Sequence, residues 1–249
     1  MGTIVVPEDG GWTIANAVIG HVPHLLFHGP PGTGKSTFAC RQGAVSWYRI
    51  VCHEEMSDVD IVGGPALLND SGATVSGWVD GIGLRSWREG KRLVIDEIDK
   101  AGGAALSALL AITEDLATAA YTIPLTGETV RPAAGFHVIG TTNVTPDELP
   151  EALRDRFTIR IEIDQPHAEA IAALPEDLRL AAKASAGLPE ERRVSIRAWR
   201  SFATLRYELA DEEMAALSVF GLPQAQEVVD ALQIVRDGSE PEALANLYS

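Results

Sequence analysis

The stretch HLLFHGPPGTGKSTFA, residues 24–39, decides the fold. It begins with an apolar run, His24–His28, and continues from Lys35 in a helical pattern. Between these parts, Gly29–Ser36 reads GPPGTGKS and fits G-x-x-x-x-G-K-[ST] in the strand–loop–helix context that the motif requires. Glycines let backbone N–H groups curl around phosphates, and the start of a helix adds the positive end of its dipole. The stretch therefore predicts a nucleotide-binding loop rather than a glycine- and proline-rich turn without a ligand.

The loop also predicts which residues contact the nucleotide. Lys35 would reach the outer phosphates, and the Ser36 hydroxyl would ligate Mg²⁺. The full set of expected nucleotide contacts in this region is Gly29, Pro30, Pro31, Gly32, Thr33, Gly34, Lys35, Ser36 and Thr37.

A second apolar strand carries the acidic half of the predicted site. The segment RLVIDEID, residues 92–99, ends its apolar run in Asp96-Glu97. Asp96 would place one carboxylate by the metal, and Glu97 would place a second where it can polarise an attacking water. Because nucleotide binding alone needs only Asp96, the adjacent Glu97 indicates hydrolysis.

Two further segments supply polar candidates. HVIGTTN, residues 137–143, is an apolar strand ending at Asn143, which could orient the lytic water or simply form the following turn. LPEALRDRF, residues 149–157, carries Arg154 and Arg156 after a helical turn. Surface salt bridges are the default role of such arginines. Their position after Asn143 favours a role in the site.

The first two thirds of the chain alternate apolar runs with helical patterns, which predicts a parallel sheet covered on both faces. The predicted strands are His24–His28, Tyr48–Cys52, Arg92–Ile95, Phe136–Gly140 and Thr158–Ile163, and the predicted helices between them are Lys35–Val45 and Ala104–Ala119. The expected fold class is therefore α/β with a five-stranded parallel sheet.

The strand pattern stops near Gln165, and the remainder of the chain has a helical pattern. The predicted helices are Glu169–Leu174, Glu176–Ala186, Ser195–Leu209, Gln224–Val235 and Pro241–Tyr248. We therefore predict a nucleotide-binding α/β domain over residues 1–165 and a small all-α domain over residues 166–249.

The overall charge narrows the class of partner. The chain has 35 acidic and 20 basic residues, a formal charge of −15, which opposes general binding to nucleic acid or an anionic membrane. No uninterrupted apolar run is long enough to span a bilayer, and the amino terminus lacks a signal-peptide pattern. Cys40 and Cys52 are expected to be free thiols, and the expected location is cytoplasmic.

In this order the motifs resemble those of the AAA+ ATPases, and more narrowly of the MoxR-like group that includes the CbbQ, NorQ and GvpN proteins. The narrower resemblance rests on DIVGG (60–64), GWVDGIGLRSWREGKRLVIDEIDKA (77–101), LSALLAITED (106–115) and LPEALRDRF (149–157). It covers residues 23–163, and the helical tail more loosely. It implies a P-loop NTPase core of the AAA+ type followed by a small α-helical lid.

The resemblance implies roles that spacing alone does not give. Ser36 with Asp96 would hold Mg²⁺, Glu97 would be the catalytic base, and Asn143 would be the first sensor. Arg156, in DRF, looks like an arginine finger that reaches a neighbouring subunit's site.

Two further roles implied by the resemblance, the arginine finger and the second sensor, each have two candidate residues. Arg154 is a second candidate for the finger. Arg197, in VSIRAW, matches the second-sensor position of the lid and would contact the nucleotide, with Arg200 as its competitor. The implied cofactors are ATP and Mg²⁺. GTP is not excluded, because relatives with these insertions include a GTP-using restriction motor and nothing in the sequence reads the base.

Two insertions typical of the group are recognisable. Residues 65–79 look like a hairpin that interrupts a helix, with its turn at Asn69–Gly72. Residues 121–134 look like a second hairpin, turning at Thr126–Gly127. In related rings such hairpins face the central pore or a partner, and an ordinary surface hairpin is the alternative for each.

The leading interpretation is a ring-forming, Mg²⁺-dependent ATPase that remodels or activates a protein partner. The resemblance implies a homohexamer with the finger acting in trans. It also implies a client on a separate chain, such as a von Willebrand-type-domain protein, because this sequence contains no such domain. The alternatives are a nucleic-acid motor or loader, which the charge opposes, and a nucleotide-gated scaffold with little turnover, which Glu97 opposes.

Overall fold

The computed structural model describes residues 9–43, 46–70, 73–189 and 192–237. By its internal contacts the chain forms two compact units. The sheet unit comprises Ile14–Gly29 and Lys35–Glu162. Of the described residues, the helical unit comprises 9–13, Pro30–Gly34, 163–189 and 192–237. The division into domains at residues 165 and 166 stays a prediction.

The sheet unit is organised around a five-stranded sheet in which every pairing is parallel. The strands of the chain are β1 (His24–His28), β2 (Trp47–Val51), β3 (Gly63–Asp70), β4 (Ala73–Asp80), β5 (Arg92–Asp96), β6 (Tyr121–Thr122), β7 (Thr129–Val130), β8 (Val138–Thr141) and β9 (Ile159–Glu162). The order in the large sheet is β2-β5-β8-β1-β9. Strands β5 and β8 are buried along their whole length, since a parallel sheet is covered on both faces. The predicted α/β class with five parallel strands is confirmed.

Helices pack around this sheet and form the second unit. Their bounds are α1 (Trp12–Val18), α2 (Lys35–Arg41), α3 (Asp58–Ile61), α4 (Ile82–Glu89), α5 (Gly103–Ile112), α6 (Glu151–Arg156), α7 (Ala168–Ala172), α8 (Glu176–Ala186), α9 (Ile196–Leu209), α10 (Glu212–Phe220) and α11 (Gln224–Arg236). Trp87 of α4 is completely buried, and its Nε1 donates a hydrogen bond to the carbonyl of Ile112 at 3.3 Å. This bond fixes α4 against the end of α5 within the core of the sheet unit.

Both predicted hairpins are present in the sheet unit. Strands β3 and β4 pair antiparallel between α3 and α4, so this hairpin does interrupt a helical segment. Strands β6 and β7 form the second hairpin, in which Gly127 has a φ of +71° in the turn. The turn expected at Asn69–Gly72 lies partly outside the described residues, because Ser71 and Gly72 are not among them.

Two helices end earlier than their sequence patterns predict. The first, α2, ends at Arg41, and Gly43 follows with a φ of +82°, which stops the helix. The predicted end at Val45 lies outside the described residues. Helix α5 ends at Ile112 rather than at Ala119. Asp115 Oδ1 there accepts a hydrogen bond from the Ala117 N–H at 2.8 Å, which stabilises a turn in place of another helical turn.

The helical unit buries its own aromatic core. Trp199 and Phe202 of α9 are fully buried and pack edge-on, and Phe220 of α10 lies against both rings. Helix α10 is absent from the sequence-based assignment, although Asp211 is its N-cap and accepts a hydrogen bond from the Met214 N–H at 2.9 Å. The predicted helix Pro241–Tyr248 lies outside the described residues.

Candidate active site

The carboxylate of Asp96 is the centre of the candidate site in the sheet unit. It lies at the C-terminal end of β5 and is only 5% exposed. Its Oδ1 accepts a hydrogen bond from Ser36 Oγ at 2.6 Å and another from Thr141 Oγ1. Parallel strands place their carboxyl ends at the same edge of a sheet, which is why residues from α2, β5 and β8 meet here.

A cation also contacts Asp96. The guanidinium of Arg49, on β2, donates a hydrogen bond to Asp96 Oδ2. Burial by itself would raise the pKa of Asp96, but the hydrogen bonds from Ser36, Thr141 and Arg49 outweigh it and hold the pKa below its usual value. The side chain of Asp96 is therefore both buried and negatively charged.

Lys35 lies at the start of α2, beside the end of β8. Its Nζ donates hydrogen bonds to the carbonyl of Gly29 at 2.7 Å and to Asn143 Oδ1 at 3.1 Å. Burial lowers the pKa of Lys35 to about 8, and the nearby charge of Asp96 opposes this shift. Two of the predicted site residues from distant segments, Lys35 and Asn143, are thus in direct contact.

Glu97 follows Asp96 and is exposed. Its backbone has a φ of +54° and a ψ of +46°, the left-handed conformation that side chains other than glycine rarely adopt. Such a conformation costs on the order of 1–3 kcal/mol and is maintained by the surrounding structure. The turn it makes directs the chain from the buried β5 strand into the 3₁₀ helix Ile98–Lys100.

The oxygen atoms of Asp96 and of the neighbouring Ser36 are suitable ligands for a hard divalent cation. Among the residues the structure describes, no group of three histidine, cysteine, aspartate or glutamate side chains converges on one point. Mg²⁺ does not need such a group, because it is usually held by one or two protein oxygens together with waters and substrate phosphates. The Ser36 hydroxyl and the Asp96 carboxylate are two such oxygens, 2.6 Å apart, so the residues present fit Mg²⁺.

Residues Pro30–Gly34 of the loop pack within the helical unit. Gly32 has a φ of +79°, and a Cβ added there would lie 2.5 Å from Ser195 Cβ. The Thr33 carbonyl accepts a hydrogen bond from the His167 N–H at 3.2 Å, and Thr33 Oγ1 donates one to the Pro30 carbonyl at 3.3 Å. Backbone conformation and close approach therefore both require glycine at position 32.

A cleft of about 90 Å³ opens beside these loop residues within the helical unit. Its lining residues are Pro30, Pro31, Gly32, Thr33, Asp164, Pro166, Ala186, Arg193, Val194, Ser195 and Ile196. Ser195 is the N-cap of α9, since its Oγ accepts a hydrogen bond from the Ala198 N–H at 3.2 Å. Arg197 and its competitor Arg200 are exposed on α9, whereas Arg193, which the sequence did not suggest, lines the cleft.

The two arginines of α6 pair with acids of the sheet unit other than Asp96 and Glu97. Arg156 contacts Glu114 Oε2 at 2.6 Å, and Arg154 contacts Asp147 Oδ1 at 3.1 Å. The Arg156 side chain is 28% exposed. The structure therefore does not bring either arginine to the Asp96 cluster of its own chain.

Several residues that contact the predicted site residues were not found from the sequence. Thr141 and Arg49 bind Asp96 directly. Thr142 contacts the same segment, since its Oγ1 donates a hydrogen bond at 2.6 Å to Oδ1 of Asp99, which is not a predicted site residue. The two threonines immediately precede Asn143, so their position at the end of a buried strand was an available signal. Arg49 offered none, because an arginine inside a strand pattern ordinarily indicates a solvated face.

Comparison with known proteins assigns the region that contains this site to a family. A profile of the AAA domain, dynein-related subfamily, matches residues 24–157, more than half of the chain. The chain belongs to this AAA domain family. The matched range contains the loop, Asp96-Glu97, Asn143 and the α6 arginines. The prediction from the motifs, that the chain is an AAA+ protein of the MoxR-like group, is confirmed.

Two curated relatives of this AAA domain share about the same region. Protein NorQ of Paracoccus denitrificans (strain Pd 1222) is 29% identical over 168 residues, which are 65% of this chain and 60% of that protein. The uncharacterized protein YojN of Bacillus subtilis (strain 168) is 33% identical over 152 residues, 58% of this chain and 48% of that protein. The matched region thus spans less than two thirds of either relative.

Solved structures of RuvB from Thermotoga maritima share the fold of this AAA domain. Two RuvB mutants each give a TM-score of 0.50 at 17% and 16% identity. The alignments cover 96% of this chain and 84% or 83% of the RuvB chains. At this identity the likeness shows the fold alone, that of an AAA+ P-loop NTPase.

A membrane span was not expected from the sequence. Among the helices of the described residues, none combines the length and the apolar character that crossing a bilayer requires. The cytoplasmic location stays a prediction.

Proposed function

We propose that this protein is a Mg²⁺-dependent ATPase that works as a ring and couples turnover to remodelling or activation of a protein partner. One observation carries the proposal. Ser36 Oγ lies 2.6 Å from Asp96 Oδ1, and Lys35 Nζ lies 3.1 Å from Asn143 Oδ1, so three separate motifs converge on one cluster. A merely structural glycine-rich turn would not require a buried lysine at its end, or a contact between the next residue, Ser36, and a buried aspartate from a distant strand.

The loop and Lys35 would bind the phosphates. Lys35 is buried, and burial lowers its pKa to about 8, so the negative charge of a phosphate oxygen would add to that of Asp96 in stabilising the ammonium group. Arg197 is proposed as a further nucleotide contact.

Hydrolysis would use Glu97 and Asn143. Glu97 would accept a proton from a water as the water oxygen bonds to the γ-phosphorus, and the bond from that phosphorus to the bridging oxygen would break, releasing ADP and phosphate. Asn143 would orient the water. When bound, Mg²⁺ would neutralise charge on the phosphate oxygens, held by Ser36 and Asp96.

Assembly into a ring would complete the site. Arg156 contacts Glu114 in its own chain and not Asp96, yet its side chain is 28% exposed at the end of α6. An arginine supplied by the neighbouring subunit would stabilise the charge of the transition state. This would make turnover depend on oligomerisation, with a hexamer as the expected size, and Arg154 is the second candidate.

The partner is proposed to be a protein, for which a von Willebrand-type-domain protein on a separate chain is the expectation. The formal charge of −15 disfavours binding to the phosphates of a nucleic acid. A nucleotide-gated scaffold would need Lys35 but not Glu97.

The test is ATP turnover measured against protein concentration, with mass photometry on the same samples. We expect turnover per chain to rise steeply where rings appear, because each site would need an arginine from a neighbour. Equal turnover in monomers and rings would contradict the shared site. Absent turnover with tight ATP binding would favour the scaffold, and DNA-stimulated, salt-sensitive turnover would favour a nucleic-acid motor.

A further inference from the structure

Arg49 forms an ion pair with Asp96, and the proposed reaction does not use this arginine. It lies on β2, the edge strand next to β5, in a register that places Arg49 opposite Val94 and Val51 opposite Asp96. Side chains two residues apart on a strand share a face. Arg49 therefore reaches Asp96 along one face of the sheet from the neighbouring strand.

The two side chains differ in their access to solvent. The Asp96 side chain is 7% exposed, whereas the Arg49 side chain is 42% exposed. A buried carboxylate without a partner is costly, because it loses its hydration without compensation. Ser36 and Thr141 supply hydrogen bonds to Oδ1, and the guanidinium of Arg49 supplies both a hydrogen bond and a positive charge at Oδ2, in addition to the charge of Lys35. Arg49 can move into solvent, and Asp96 cannot.

Arg49 also occupies an oxygen of the carboxylate that the proposed function assigns to Mg²⁺. A guanidinium in contact with Oδ2 would repel any further cation bound to the same group. The two cations would therefore compete for Asp96 rather than support each other.

We propose that Arg49 is an exchangeable counterion of Asp96: it balances the buried carboxylate when no metal is bound and leaves when the cation of the nucleotide complex takes its place. The inference rests on the proposed function, since it assumes that Asp96 holds that cation. It makes Arg49 a positioning residue with two effects. It stabilises the metal-free protein, and it weakens metal binding by competition.

The test uses Mn²⁺ as the metal probe, counted by electron paramagnetic resonance with saturating ADP. In Arg49→Ala the dissociation constant of Mn²⁺ should fall roughly three- to thirtyfold, as expected for losing a half-exposed ion pair. Arg49→Lys keeps the charge and should stay near the wild-type value. Arg41→Ala is the matched control, because it removes the same charge from the exposed end of α2 and should leave the constant unchanged.

A second readout does not involve metal binding directly. The melting temperature of Arg49→Ala in EDTA should lie below that of the wild type, and the difference should shrink with Mg²⁺ and ADP, because the metal then balances Asp96. Arg49→Gln, which is close in size, serves if the alanine variant does not fold.

Two results would overturn the inference. One is an unchanged or larger Mn²⁺ dissociation constant in both neutral variants, which would mean that Arg49 does not compete with the metal. That result would leave the proposed ATPase intact. The other is a wild-type chain that binds neither Mn²⁺ nor ADP, which would refute both the inference and the proposed function.

Discussion

Arg92 Nε donates a hydrogen bond to His137 Nε2 at 2.7 Å in the interior of the sheet unit. Arg92 is 1% exposed, and its Nη1 also donates to the carbonyls of Ala39 and Gln42, at 2.8 and 2.7 Å, at the end of α2. A buried arginine is thus held by carbonyls and a neutral imidazole. It joins β5, the end of α2 and the residue that precedes β8. Asp96 lies on β5, Ser36 on α2 and Thr141 on β8.

This arrangement predicts how stability depends on pH. Burial lowers the pKa of His137 below 6.5, the hydrogen bond with the Gly135 carbonyl opposes this, and the charge of Arg92 lowers it further. The unfolded chain therefore binds a proton that the folded chain resists, so stability is lost as the pH falls below about 6.5 toward the folded pKa. Within that window His137 contributes up to about 1.4 kcal/mol per pH unit.

The measurement is urea unfolding between pH 8 and pH 5. His24 and His28 also have lowered pKa values because of burial, so the comparison must isolate His137. His137→Gln retains an acceptor for Arg92 and cannot titrate, so its stability should fall less steeply on acidification. Parallel curves for the two proteins would contradict the prediction.

Lys35→Ala should weaken ATP binding roughly tenfold to a hundredfold, the range expected for losing a charge-assisted hydrogen bond. The lysine is buried and contacts Asn143, so some loss of stability is also expected. Calorimetric titration with ATP measures the first effect and thermal unfolding the second. Lys183→Ala, an exposed lysine of α8, is the control and should bind ATP normally.

Glu97→Gln should leave ATP bound but lower turnover about 10²- to 10⁴-fold, the usual contribution of a general base. The substitution keeps the size and the exposed position of the side chain, so the melting temperature should hardly change. Phosphate release and ATP titration on the same preparation separate the two effects. Glu208→Gln, an exposed acid on α9, is the control, and a Glu97→Gln protein with normal turnover would refute the assignment.

Arg156→Ala should keep nucleotide affinity and reduce turnover on the order of 10³-fold or more, because the finger would act on a neighbour. Mixing chains of two different variants tests action in trans more directly than the single variant does. Arg156→Ala chains with an intact Glu97 should regain turnover when mixed with Glu97→Gln chains, which supply the arginine. No recovery, in mixed rings verified by mass photometry, would argue against action in trans.

Arg154→Ala is the companion to that experiment. Its guanidinium contacts Asp147, whose side chain is 92% exposed, so removing that contact alone should cost little stability. If the Arg154→Ala protein loses turnover and the Arg156→Ala protein does not, the finger assignment moves to Arg154.

Gly32→Ala should destabilise the protein more than Gly20→Ala does. Gly32 has a φ of +79° and Gly20 a φ of +82°, so an alanine at either position carries backbone strain of about 1 kcal/mol or more. At Gly20 an added Cβ meets nothing within 4 Å, whereas at Gly32 it lies 2.5 Å from Ser195 Cβ. The extra cost at position 32 should be about 1–3 kcal/mol in urea unfolding, the usual penalty of overpacking, and equal losses would contradict it.

The sequence by itself determined the parallel sheet, the loop between β1 and α2, and the candidates Lys35, Ser36, Asp96 and Glu97. The reason is that these features are local. Apolar runs, a glycine-rich spacing and an acidic pair after a buried strand are each written within about ten residues. The ends of α2 and α5 were predicted too far along the chain, because Gly43 and the turn at Asp115 end these helices within an otherwise helical pattern.

Only the tertiary structure decided which residues surround those candidates. Arg49 reaches Asp96 from 47 positions away in the chain, and Arg92 reaches His137 from 45 positions away. Both contacts depend on the strand order β2-β5-β8, which brings together segments that no local pattern relates. Such a long-range pair forms only when the sheet brings its members together, because closing the chain between them has an entropic cost that the pair alone does not offset. That is why the sequence shows the catalytic candidates and the fold alone shows the charges that balance them.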